Sequence, residues 1–443
     1  MMRKGNLTSA LAACAALAIL FGCGQSSKAE TAQGAAATPA RDELSKALNT
    51  PYVSPVGSRH ECLGRLVFDT PGTMQWGVRA PGAFNDNLWR FTETLHGDDD
   101  EVAVGDLGIV VMAPATGAAL QRMVADQEAQ KTNLTRDLQH KIDVNKGQVD
   151  DITAAMKGLA PEERQQSLDE IESIKKTIAD AQSGIAQIAA QWKTIALGRP
   201  DSVGYAAGGE LHAFIYGNGR VYRITSSPSV DSPPLARRKQ AFLDAVQRFK
   251  LRDMYDIPPE RGVCVPYGFL PDEGTTPFRI SVSMRYADRP GVIYSITTGV
   301  VGRLGLKADE PTLVRATARA ATGVLGGMSD DGARRTLKTI GPQRAMIGAI
   351  PANQGGVVLD VASKGQPVKP NYSVYTGFAG RPDSQVLPLI VLDMRSFTKE
   401  QDKSLKTDPP PFEESHARLN ALLASIRLRP TTEPMPELVG QPH

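Results

Sequence analysis

The stretch Phe242-Leu243-Asp244-Ala245-Val246-Gln247-Arg248-Phe249-Lys250-Leu251-Arg252 returns near the end of the chain as Leu419-Asn420-Ala421-Leu422-Leu423-Ala424-Ser425-Ile426-Arg427-Leu428-Arg429. In both, apolar residues recur three and four positions apart, the spacing of one buried helix face, and the run closes on a basic residue, leucine and arginine. Prolines introduce each copy, Pro233-Pro234 before the first and Pro409-Pro410-Pro411 before the second. Each copy also closes a stretch that opens with a cysteine, Cys62 or Cys264. A chance likeness between two amphipathic helices is the alternative. The repeat reads as an α+β fold built from two tandem α/β sandwich-like modules.

The strands fit this plan. In the first half, 65–69 and 74–78 are short β-like runs parted by Pro71-Gly72, and 107–112 is a third. Runs 211–216 and 220–224 flank Gly217-Asn218-Gly219, where Asn218-Gly219 fits a tight hairpin turn. In the second half, 278–285 pairs with 292–298, and 357–361 and 387–392 read as further strands. Closing helices are expected over 237–249 and 413–426.

The first module is interrupted. From 118 to 197 the sequence is polar and helical, with a break at Gly158-Leu159-Ala160-Pro161. Ile171, Ile174, Ile178, Ala181, Ile185, Ile188, Trp192 and Ile195 form one coiled-coil seam, and Leu134, Leu138, Ile142, Val149, Ile152, Met156 and Leu159 form a rougher one. The short connection implies an antiparallel coiled-coil hairpin with its tip about 50 Å from its root. It serves either as a partner-gripping or oligomerising arm, or as an inserted spacer.

The amino terminus reads as a leader. Arg3 and Lys4 precede the apolar run 7–21, and Leu20-Phe21-Gly22-Cys23 has the form of a lipobox. The run is short for a membrane span. Cleavage before Cys23 would make it the acylated first residue, and Gly24 rather than Asp fits sorting to the outer membrane; an ordinary secretory signal is the alternative. Residues 24–41, rich in Gln, Ser, Ala, Gly and Thr, make a flexible tether. The expected layout is therefore leader 1–22, tether 23–50, first module 51–253, second module 254–430 and tail 431–443.

Processing also settles charge and thiols. The full chain has 50 Lys and Arg against 48 Asp and Glu, and losing Arg3 and Lys4 with the leader brings these to balance. A neutral surface excludes nucleic acid as a partner and leaves the N-terminal lipid as the sole membrane attachment. With Cys14 removed and Cys23 acylated, only Cys62 and Cys264 meet the oxidising periplasm, as one disulfide or as two buried thiols.

Catalytic patterns are missing. There is no Gly-x-Ser-x-Gly elbow, His-Glu-x-x-His helix, Walker loop or dinucleotide fingerprint. His60, His96, His140, His212, His416 and His443 lack metal-ligand spacing. The acidic run Asp98-Asp99-Asp100-Glu101 has no calcium-loop glycine and reads as a solvated loop, and Ser329-Asp330-Asp331 as a polar turn. No catalytic residue, metal or cofactor is assigned.

Two short motifs carry a resemblance. Glu61-Cys62-Leu63-Gly64-Arg65-Leu66-Val67-Phe68-Asp69-Thr70-Pro71 resembles the opening of the type VI secretion lipase-immunity lipoproteins. Gly262-Val263-Cys264-Val265-Pro266-Tyr267-Gly268-Phe269-Leu270 is similar to the element that begins that family's C-terminal domain. The resemblance covers about 52–430 apart from the helical hairpin. It implies two α/β domains forming a claw that grips a cognate phospholipase effector in the periplasm and blocks it stoichiometrically, without enzymatic activity. It leaves the contact residues unassigned. Two other readings stand beside it: an envelope scaffold or adaptor lipoprotein that reaches another component through the hairpin, and a hydrolase assembled from distant residues. An adaptor would carry lipoyl-like half motifs beside the hairpin, which 108–115 and 204–224 do not clearly supply.

Overall fold

The structure, a computed structural model, describes residues 51–79, 89–90, 101–228, 233–302, 334–362 and 369–429. The expected leader and tether with Cys23, His96, Asp98 to Asp100, Ser329-Asp330-Asp331 and the expected tail with His443 lie outside the described residues.

The first half contains strands β1 (Arg59–Leu63), β2 (Leu66–Thr70), β3 (Met74–Trp76), β4 (Val78–Arg79), β5 (Trp89–Arg90), β6 (Glu101–Val104) and β7 (Leu107–Met112). Helices α1 (Gly117–Ala155) and α2 (Pro161–Gln191) follow, then β8 (Lys193–Ile195), β9 (Ser202–Ala207), β10 (Glu210–Gly217), β11 (Arg220–Ser226), α3 (Leu235–Arg248) and β12 (Lys250–Leu251). The second half contains β13 (Gly262–Val265), β14 (Gly268–Pro271), β15 (Phe278–Tyr286), β16 (Val292–Gly299), β17 (Arg334–Ile347), β18 (Ile350–Ala362), β19 (Lys369–Phe378), β20 (Leu389–Ser396), α4 (Phe412–Ser425) and β21 (Arg427–Leu428). The chain is thus a mixed α/β protein with antiparallel sheets and four α-helices among the described residues.

One sheet runs through both halves in the order β17-β18-β19-β20-β16-β15-β6-β7-β11-β10-β9-β8. The halves join where Phe278 to Ser281 of β15 lie antiparallel to Val104 to Glu101 of β6. The hairpin turn expected at 218–219 closes β10 on β11, with Asn218 at φ 51° and Gly219 at φ 70°. Glycine and asparagine adopt that left-handed backbone at least strain, which is why this dipeptide makes the turn.

Both closing helices lie on the same principal core as the sheet. Phe242, Ala245, Val246 and Phe249 from α3, and Leu419, Leu422, Leu423 and Ile426 at α4, are buried with Tyr222, Tyr294, Ile390 and Leu392. Each large apolar side chain so buried stabilises the fold by roughly 1.5–3 kcal/mol. The apolar spacing in the sequence therefore marks the faces that hold the helices down.

Two small three-stranded sheets are shared between the halves. Each half opens with a hairpin, β1–β2 or β13–β14, and closes with a helix and a two-residue strand. Strand β12, which ends the first half, pairs with β14 through Lys250 with Phe269 and Leu251 with Gly268. Strand β21, which ends the second half, returns to β2 through Arg427 with Val67 and Leu428 with Leu66. Each half thus completes the small sheet of the other.

The long insertion folds back on itself. Gln148 of α1 donates to Glu170 of α2 at 3.4 Å, and Leu138 packs over Gly184, an antiparallel register. Pro161 takes the first helical position of α2, and Glu163 accepts from the Ala160 amide at 3.2 Å. Ile142, Ile171, Ile174 and Ala181 are buried, whereas Leu134 is exposed. At the root, Ala119 and Met123 pack on Phe214 and Val221, and Trp192 packs on Tyr205.

The expected extent 118–197 needs correction, since α2 ends at Gln191. Trp192 caps it, and Ile195 stands in β8, paired with Gly204. Three-and-four spacing continued through both residues, but Lys193-Thr194-Ile195 forms a sheet edge and Ile195 and Leu197 enter the principal core. Burial against the sheet overrode the helical period. The expected strand 357–361 is the middle of the longer β18, and 387–392 begins late, at Leu389, after Pro388.

Candidate functional site

The hairpins β1–β2 and β13–β14 meet at Cys62 and Cys264, which the structure joins in a disulfide with Cα atoms 5.8 Å apart. Beside it, the Gly64 amide donates to Cys264 O at 2.7 Å, and the Cys264 amide to Gly64 O at 2.9 Å. Gly64 has φ 59°, and a Cβ there would stand 2.7 Å from the Phe278 ring. A side chain would be both strained and obstructed, so this contact requires glycine.

Buried charge surrounds the junction. Glu61 is fully buried and lies 2.6 Å from Arg252; its carboxylate also accepts from the Cys62 and Tyr255 amides at 2.8 and 3.0 Å. Arg252 donates to Gly268 O, Cys62 O and Val265 O at 3.1–3.3 Å. Arg429 donates to Gly262 O, Pro258 O and Glu260 O at 2.8–2.9 Å and lies over the Phe269 ring. Burial, and then the charges of Arg252 and Arg65, push its pKa down to about 10. Arg65 grips Asp272 through two bonds of 3.0 and 2.7 Å. Burial raises the Asp272 pKa, but hydrogen bonds and charge from Arg65, with bonds from Thr276 and Gly274, outweigh it and hold the group below its usual range.

A second network lies at the start of the described chain. Asp69 accepts from Tyr52, meets His60 Nδ1 at 2.8 Å and lies 3.2 Å from Arg427. Burial raises its pKa, and the bonds from His60, Ser54 and Tyr52 with the Arg427 charge bring it below the ordinary value. The His60–Asp69 pair is two-thirds of a hydrolase triad. Among the described residues no hydroxyl is found on the other His60 ring nitrogen, and the pair is given no catalytic role.

The remaining described histidines are dispersed. His140 lies on α1 in an open groove of about 650 Å³ with Glu128, Lys131, Arg136 and Ile185. His212 lies under the hairpin root, 3.3 Å from Glu210, and burial lowers its pKa. His416 stacks on Phe412, and burial lowers its pKa too. Among the described residues no three His, Cys, Asp or Glu side chains converge as metal ligands, and no helix is long and apolar enough to cross a membrane. The arrangement is suited to holding surfaces rigid.

Residues 256–431 match the family model described as Tle cognate immunity protein 4 C-terminal domain. Over these residues the chain is similar to an immunity domain. The matched stretch covers β13 to β21 and therefore contains Cys264, Asp272, Arg429 and the strand that returns to β2. The family so described is one of immunity proteins, which are not enzymes. No curated protein matches the chain. The immunity protein TplEi of the type VI secretion system of Pseudomonas aeruginosa, complexed with "L" peptide, aligns at 14% identity and a TM-score of 0.46 over 85% of this chain and 100% of its own. The apo structure of TplEi aligns at 15% identity and 0.45, over 85% and 98%. The structure of the Tle4–Tli4 complex aligns at 15% identity and 0.46, over 86% and 100%. No residue role is transferred from these likenesses.

Sequence reasoning marked both cysteines and the Leu-Arg pairs at 251–252 and 428–429. It did not find the burial of Glu61, Arg65 and Asp272. The repeated Leu-Arg ending was the available signal, because an arginine kept at equivalent ends of two apolar helices is held for its contacts.

Proposed function

We propose that the chain is an immunity protein that binds a cognate phospholipase effector of type VI secretion in the periplasm and blocks it stoichiometrically. The match of residues 256–431 to an immunity domain carries this reading. The lipobox ending at Cys23 supports a lipid-anchored protein on the outer membrane, with the tether giving it reach. A toxin that attacks membrane lipid is best met by an inhibitor concentrated at that surface, since tethering raises effective concentration without new contacts. The two halves, 51–253 and 254–430, are read as the jaws of a claw, with α1 and α2 as an added arm.

The test titrates protein lacking residues 1–23 against the phospholipase encoded beside it, on phospholipid vesicles. Inhibition that saturates near one equivalent fits blocking. Protection at far below one equivalent would point to an enzyme, and no inhibition would move the reading to the envelope scaffold. Replacing Cys23 with Ala should release a soluble periplasmic protein, and variant protein still held in the outer membrane by lipid would refute the anchor.

A further inference from the structure

We infer that the outer edge of β17 is a docking strand for an extended acidic segment of a protein partner, added to the main sheet by backbone hydrogen bonds. β17 ends the sheet order on its side and is 14 residues long, well beyond the usual strand of about 5–6. Residues 336–339 and 341–344 are exposed, and Leu337 keeps 48% of its surface open. Edges of this kind are ordinarily shortened or covered, because unpaired amides and carbonyls are a template for another chain.

The register shows which groups are offered. In an antiparallel ladder a residue turns its amide and carbonyl to one neighbour and the next residue turns them to the other. The Phe397 amide donates to Gly291 O, so Asp393 and Arg395 face β16 while Leu392 and Met394 face β19. Their partners Thr376 and Val374 face back, leaving Ser373 and Tyr375 for β18. Ser373 meets Val357, so Val358 faces β17 and its partner Lys338. Leu337 and Thr339 therefore direct amide and carbonyl away from the sheet. The register shift between Ile340 and Gln343 then re-sets the alternation, and Arg344 and Met346 face outward beyond it.

Charge selects the occupant. The strand Arg334-Arg335-Thr336-Leu337-Lys338-Thr339-Ile340-Gly341-Pro342-Gln343-Arg344-Ala345-Met346-Ile347 holds four cations and no acid. On β18 only Asp360 opposes them, and it is 2.7 Å from Lys338. Two copies of this edge would set like charges against each other, which destabilises strand pairs. An acidic strand would gain both the ladder and the charge match. The edge lies inside the stretch similar to an immunity domain, so this inference rests on that reading only for the identity of the partner. A test with defined peptides separates the two.

The full chain is mixed with acetylated, amidated heptapeptides of alternating Glu and Val or of alternating Lys and Val, and amide exchange is followed with peptide affinity. The acidic peptide should slow exchange at Leu337 and Thr339, whereas the basic one should not. Leu337→Pro or Thr339→Pro removes one outward amide, a change tolerated at strand edges, and should weaken acidic-peptide binding at least tenfold. Should either proline variant fail to fold, Arg335→Glu with Arg344→Glu should exchange the preference from the acidic to the basic peptide. Absence of protection at millimolar acidic peptide, equal protection by both peptides, or undiminished binding by folded proline variants would overturn the proposal. So would concentration-dependent protection without peptide accompanied by a dimer mass, which would assign the edge to a second copy.

Discussion

Arg252 and Arg429 hold equivalent places in the two halves, and the backbone amide of each donates into the half that is not its own. The Arg252 amide donates to Tyr267 O at 3.0 Å, and the Arg429 amide donates to Arg65 O at 2.9 Å. Tyr267 and Arg65 each stand three residues after a cysteine of the disulfide. Strand exchange, guanidinium cages and the sulfur bridge therefore act at one place. Together with the β15–β6 seam, this junction ties the two halves to each other.

The disulfide should be recovered from non-reduced, digested protein as one peptide pair containing Cys62 and Cys264. It joins residues 202 apart in sequence, so its loss frees a long loop in the unfolded chain. Cys62→Ala with Cys264→Ala should lower stability by about 2–5 kcal/mol, read from the denaturant midpoint. Full alkylation of both thiols in unreduced protein would refute the bond.

Glu61→Gln keeps the shape of the side chain and leaves the Arg252 charge buried without its counter-ion. A loss of roughly 3–5 kcal/mol is expected. Glu414→Gln is the control, because the Arg289–Glu414 pair is more than one-third exposed and such pairs contribute about 0–1 kcal/mol. Equal losses in the two variants, by urea titration, would show that burial at the junction does not set the energetics.

Elements with a regular period were legible in the sequence: α3, α4, β7, β10 with β11, and the helical hairpin. Their apolar spacing is the cause of their burial. β17 was not legible, because Gly341-Pro342 and scattered basic residues break the alternation that marks a strand, and its neighbour β18 supplies the pairing. The end of α2 was misread because Trp192 and Ile195 keep the helical spacing while packing on the sheet. The crossed pairing of β12 and β21 depends on contacts between distant segments. The repeated Lys-Leu-Arg and Arg-Leu-Arg endings marked the two segments as alike but not their exchange.

Acid should weaken the fold in two separate windows. Burial lowers the pKa of His416, partly opposed by Glu413, so the folded state binds the proton less well than the unfolded state with its ordinary value of 6.5. The associated stability is complete above about pH 6.5 and declines as pH falls through the lower folded value. His212 shifts in the same direction. Asp69 and Asp272 are also lowered, from 3.8, so their contribution is lost only at more acidic pH. Thermal midpoints measured from pH 7.5 to 5 should fall less steeply in His416→Gln than in the parent protein. An identical slope would remove His416 from the account.

Separated halves test the crossed architecture most directly. A fragment 51–253 keeps β12 but lacks β14 to receive it, and its β2 loses β21. A fragment 254–443 keeps both hairpin β13–β14 and strand β21, yet β21 has no β2 and Cys264 has no Cys62. Each fragment also exposes one side of the β15–β6 seam, an unpaired edge prone to association. Neither should give dispersed amide resonances alone, whereas mixing them during oxidative refolding should restore a one-to-one, disulfide-linked complex. Two independently folded fragments would mean that the exchange is a contact between finished domains rather than part of each one's fold.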